Sequence, residues 1–176
     1  MIPDDTVDRY YYIFDGREQR ALVMDRMTGR EYAWDDAPQA PLIDHVQTHR
    51  SSAVLRAFAR WCARQTDVAA VPLHTTAGRL WAAVRRTEDA NDLRRIRTDA
   101  VDAAVVAAAV GLPRRRPEAA RLLAVHACTH PTPRRAALDA AHMHERWTEF
   151  EAGTSAAVQA TRQQQVDWLL DALGTS

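Results

Sequence analysis

Between Asp35 and Pro41 the chain reads DDAPQAP, and across this stretch the spacing of its apolar residues changes from alternation to the spacing of a helix. No single element satisfies both periods, so the switch divides the fold in two. Before it, Tyr10 to Phe14, Ala21 to Asp25 and Glu31 to Trp34 are short runs crowded with aromatic and β-branched residues, and DRMTGR places Gly29 where a hairpin loop needs a positive φ. These runs predict a small antiparallel β meander with its linker over residues 1–37, followed by a helical domain over residues 38–176. The expected class is mainly α: an irregular helical bundle or a short α-solenoid of about six helices.

The helices can be placed from their stripes and breakers. Leu42, Val46, His49 and Ala53 form one stripe, while Val54, Leu55, Phe58, Trp61 and Cys62 form another at a different azimuth; a restart is expected near Ser51 and Ser52. The next stripe is Ala77, Leu80, Trp81 and Val84, capped by Thr75 or Thr76, and a further helix starts near Asp89 or Asn91. Its second half, AAVVAAAV from Ala103 to Val110, is apolar on every side and is expected to be the most buried element. GLPRRRP ends it, Pro131 stops the following helix at His130, and Thr132 with Pro133 opens another that Gly153 closes. Thr154 or Ser155 starts the last helix. Val105, Ala108, Leu122, Leu123, Met143 and Trp147 are the expected core residues.

With 176 residues the chain can bury one sizeable core. No apolar run reaches the length of about 20 residues that spans a bilayer, and the acidic, polar start is wrong for a signal peptide, so a cytoplasmic protein without membrane contact is expected. Cys62 and Cys128 read as buried free thiols. All 23 basic residues are arginine and the formal charge is zero, but 16 arginines face only 7 carboxylates between Arg50 and Ala137. Internal charge matching accounts for this basic middle without a polyanion, and nucleic acid is not the expected partner.

The segment ARLLAVHACTHPTPRRAALDAAHMHER holds four of the seven histidines. His126 and His130 are i, i+4 neighbours, a spacing that could serve a metal, and a metal would need a third ligand. His142 and His144 point about 160° apart on a helix, and only His144 flanks the stripe Ala136, Ala140, Met143, Trp147 and Phe150. The expectation is therefore a packed histidine pair with no metal or other cofactor: His126 and His130 facing the next helix, His144 nearest to them, His142 in solvent. On the last helix Arg162 and Gln165 share the inner stripe with Val158 and Leu169, so they either line a polar groove or mark a partly covered helix.

Arg121-Leu-Leu-Ala-Val-His126 is similar to the Arg-x4-6-His motif of HEPN-type helical ribonucleases. That resemblance implies Arg121 and His126 as catalytic residues at a dimer interface, positioning a phosphate and assisting attack of a 2'-hydroxyl by acid–base chemistry. The polar residue that often follows the family's arginine is Leu122 here. A second resemblance covers about two thirds of the chain. The order FARWCARQ, RLWAAVRR, RTDAVDAAVVAAAVG, LLAVHACTHPTPRRAALDAAHM and QQQVDWLLDAL resembles immunity proteins of bacterial toxin systems, which are all-helical and rich in alanine and arginine. It implies a non-enzymatic binder that blocks another protein through a groove or face. The leading expectation is thus an immunity-like helical protein whose partner is a protein or peptide, with Arg162, Gln165, His126, His130 and His144 as candidate contacts. The alternatives are a biosynthetic-pathway accessory or peptide-binding protein, whose meander edge accepts an added strand, and the HEPN-like ribonuclease.

Overall fold

The computed structural model describes residues 10–15, 20–25, 30–33, 39–109 and 116–174, with the strand residues and the helix ends 109 and 116 given as backbone alone. Among these the protein is mainly helical, with seven α-helices and one 3-10 turn, Val68–Ala70. The helices are α1 (Ala40–His49), α2 (Ser52–Arg64), α3 (Thr76–Val84), α4 (Ala90–Ala109), α5 (Arg116–Cys128), α6 (Pro133–Ala152) and α7 (Ser155–Leu173). Side-chain packing of the expected meander lies outside the described residues. Backbone pairing alone links Tyr10–Asp15 to Arg20–Asp25, and Arg20–Asp25 to Arg30–Ala33, both antiparallel.

The helix boundaries follow local chemistry. The stripe change at Ser51 is a true break: Arg50 and Ser51 are extended and α2 restarts at Ser52, although the Ser51 hydroxyl makes no cap bond. This raises the number of helices from the expected six to seven. Thr75 accepts a hydrogen bond from the Gly78 amide at 3.1 Å, and Asp89 accepts from the amides of Asn91 and Asp92 at 2.9 and 3.0 Å, so each satisfies orphan donors of a first turn. Gly78 has a second duty, because a Cβ there would come within 2.3 Å of the Pro72 carbonyl oxygen. Gly153 closes α6 at φ 64°, and α5 ends at Cys128 rather than His130. Past that end the Thr129 hydroxyl bonds back to the Val125 carbonyl at 2.8 Å.

The core sits where α2 packs on α6 and α5, with α1 and α7 closing one side and α3 and α4 the other. Leu55, Phe58, Ala59, Cys62 and Ala63 of α2 are buried against Ala136, Ala137, Ala140 and Ala141 of α6. The alanine face lets the two helices approach closely. Contacts run between elements distant in sequence, α1 with α7 and α2 with α6, whereas a solenoid repeat touches only its neighbours. The architecture is therefore a closed, irregular bundle and not an α-solenoid.

One expected burial is corrected. Val105 and Val106 are 63% and 61% exposed, and Ala108 is exposed too, so the second half of α4 is peripheral. Only the face carrying Ala100, Ala104 and Ala107 is covered, and the two valines fall off it. Of the other expected core residues, Leu122 and Trp147 are buried and Leu123 and Met143 half-buried. Both thiols are buried and free; burial pushes the Cys128 pKa up to about 12 and that of Cys62 well above its ordinary value, which leaves them unreactive.

Candidate functional site

Several arginines of the basic middle are held inside the fold, while others such as Arg64, Arg85 and Arg86 are exposed. Arg56, itself buried, donates both terminal nitrogens to the His130 and Pro131 carbonyls, and Arg97 donates to the His126 carbonyl at 2.6 Å. Arg97 satisfies an orphan acceptor in the last turn of α5, Arg56 satisfies carbonyls of the link that follows, and both oppose the negative end of the helix dipole. Arg50 does the same for α7, reaching the Ala172 and Leu173 carbonyls at 3.2 and 2.6 Å. Arg60 joins Thr87 and Glu88, and Arg134 holds Asp44 at 2.5 Å.

The histidines separate. His126 shares a reciprocal pair of bonds with Arg97: its Nδ1 lies 3.1 Å from the Arg97 carbonyl while its own carbonyl accepts from that arginine's side chain. It thus faces α4, and the expectation that it faces the following helix is corrected. The His130 ring accepts from the Thr132 amide at 3.1 Å, which ties down the turn before α6 instead of packing on that helix. Burial, with the Arg97 charge next, lowers its pKa from the ordinary value. His142 is exposed. His144 is buried, edge-on to the Trp61 ring, with its pKa lowered to about 4 by desolvation. Among the described residues no three His, Cys, Asp or Glu side chains converge to hold a metal.

Arg121 and His126 also diverge. The Arg121 guanidinium lies over the Trp147 ring of α6, 5.7 Å from its centroid, while His126 reaches α4. The Nε of Arg121 is buried without a hydrogen-bond partner among the described residues. Within one chain this does not assemble an acid–base pair.

Arg162 and Gln165 belong to a buried polar network. Gln39, just before α1, donates to Glu145 Oε1 at 2.9 Å and to the side-chain oxygen of Gln165. Gln165 is completely buried; its amide donates to the Ala141 carbonyl at 3.0 Å and lies 3.3 Å from His144 Nδ1. Arg162 donates to Glu145 Oε2 at 2.8 Å. Desolvation raises the Glu145 pKa to about 7, against the opposing pull of Arg162 and the Gln39 hydrogen bond. The network fastens α1, α6 and α7 together, and Gln165 presents nothing to solvent. Gln165 lines no groove open to solvent, and partial cover is seen only toward the start of α7, where Ser155 and Ala156 are exposed and Val158 and Arg162 half-buried.

An open groove lies elsewhere among the described residues. Ala107 and Ala108 of α4, Ala119, Ala120 and Leu123 of α5, and His142, Met143, Arg146, Trp147 and Phe150 of α6 line a groove of about 470 Å³. Its walls are mostly apolar, and Phe150 is 53% exposed at its edge. Val105, one turn before Ala108 on the same side of α4, continues the apolar surface outward. The stripe Met143, Trp147 and Phe150 is legible in the sequence; what is not legible is that this partly buried face also borders an opening, with Trp147 buried, Met143 half-buried and Phe150 exposed.

Comparisons with protein-family models, with curated proteins and with solved structures find no match for this chain. Among the described residues no helix is long and apolar enough to cross a membrane.

Proposed function

We propose that this is a non-enzymatic helical binding protein, immunity-like in its mode of action, that receives another protein in the groove between α4, α5 and α6. The groove itself carries the reading: an apolar surface formed by Leu123, Met143, Trp147 and Phe150 on a body whose interior is already closed. Exposed apolar surface of this kind is where protein partners or ligands dock. The polar candidates His126, His130, His144, Arg162 and Gln165 support the scaffold in this reading, because each is committed to a partner inside the chain.

A second reading draws on the antiparallel register in the N-terminal segment, where three strands in sequence order leave two edges for an added peptide strand. One experiment weighs the two. The protein is immobilised beside its Met143→Glu variant, exposed to extract from its own cells, and the retained proteins are purified and rebound. The groove reading expects a protein held by the wild type with Kd of about 1 μM or tighter and lost with Met143→Glu. Retention unchanged by the substitution moves the interface to the strands, and no rebinding protein at all overturns both.

A further inference from the structure

Resting on that reading of the groove, we infer that its occupant is an amphipathic helix of the partner protein that carries carboxylates along its flank. The shape favours a helix. Met143, Trp147 and Phe150 stand at i, i+4 and i+7 on α6, a wall about 10 Å long, or two helical turns. The facing wall is alanine, with Ala107 and Ala108 from α4 and Ala119 and Ala120 from α5, so a guest backbone can approach closely while its own i, i+3, i+4 and i+7 side chains meet the aromatic side. The Arg121 guanidinium lies over the Trp147 ring, 5.7 Å from its centroid, a contact that favours the indole where it stands.

The charge of the rim selects the acidic guest. The polar lining residues are Arg146 and His142, and no carboxylate is among the lining. Arg146 is exposed and its ion pair with Glu149, at 3.0 Å, is exposed as well, so water and a guest compete for it easily. A helix with basic flanks would meet like charge there.

The test uses the full chain and two fluorescein-labelled peptides of about 16 residues, long enough to form a helix on binding. Both carry leucine at the i, i+3, i+4, i+7 positions; one has glutamate on its flanks, and in the other lysine replaces each glutamate. Fluorescence anisotropy should show the glutamate peptide binding about 10-fold more tightly than its lysine twin, with the difference shrinking in high salt. Ala108→Trp, which fills the groove from an exposed position, and Arg146→Glu, which inverts the rim charge, should each weaken the glutamate peptide by about 10-fold. Equal or tighter binding of the lysine peptide overturns the inference, as does binding indifferent to both substitutions. Binding of dodecanoate with no peptide binding also overturns it, in favour of a small amphipathic acid. If Met143→Glu abolishes retention of a cellular partner while the lysine peptide binds better, the groove stands as the interface and the acidic assignment alone falls.

Discussion

Arg162 and Glu145 form a pair at 2.8 Å with side chains only 12% and 10% exposed, and Gln39, which also donates to Gln165, donates to the other carboxylate oxygen. Without Arg162 the Glu145 carboxyl, its pKa already raised to about 7, can take up a proton, so the loss is mainly that of buried hydrogen bonds and Arg162→Ala should lower stability by about 1 to 3 kcal/mol. Urea denaturation measures it, and a loss below about 1 kcal/mol would show the pair to be dispensable. The same network sets a pH signature. The Glu145 pKa, raised from 4.5 to about 7, means that its contribution to stability is complete below pH 4.5 and declines as pH rises toward 7. The His144 pKa, lowered from 6.5 to about 4, means that its contribution is complete above pH 6.5 and declines as pH falls toward 4. Between 4.5 and 6.5 the two trends oppose each other. Glu145→Gln removes the first and exposes the second, so the variant's Tm should fall more steeply than the wild type's on acidification from pH 6.5 to 4.5. Parallel profiles would contradict the assignment.

Among the elements, α4 separates what a sequence states from what it conceals. Its start at Asp89 and the breaking of α1 from α2 at Ser51 follow from capping chemistry and stripe azimuth, which are local and therefore readable. Its burial differs from the expectation because a run of alanine and valine is apolar at every azimuth, so periodicity cannot say which face is covered; the covered face is the one with Ala100, Ala104 and Ala107. A direct consequence is that Ala100→Leu, at a fully covered position away from the groove, should cost about 1 to 3 kcal/mol by overpacking, while Val106→Glu should change stability by no more than about 0.5 kcal/mol. Thermal melts of the two variants check this, and the reverse order would return the valines to the core. His126 failed for a related reason. Its spacing to His130 was visible, but its partner, the Arg97 carbonyl, comes from another helix.

At the scale of the molecule, closure of the bundle depends on contacts between its two ends: Arg50 on the last carbonyls of α7, and Gln39 on Glu145 and Gln165. Such pairings lie more than a hundred residues apart and leave no local trace in the sequence, which is why Gln165 could be placed on an inner stripe but not assigned a partner. The groove is illegible for the same reason, since three helices build it and its emptiness is a property of their arrangement. Closure also makes the groove the site on which the functional account rests, and Met143 reports on it directly. The chain has four methionines, Met1, Met24, Met27 and Met143, and only the last belongs to the helical body. With methyl-labelled methionine and Met143→Leu to assign the signal, adding the glutamate-flanked helical peptide should shift the Met143 methyl resonance in a saturable way and leave those of Met1, Met24 and Met27 in place. Saturable peptide binding with the Met143 resonance unmoved would contradict the account.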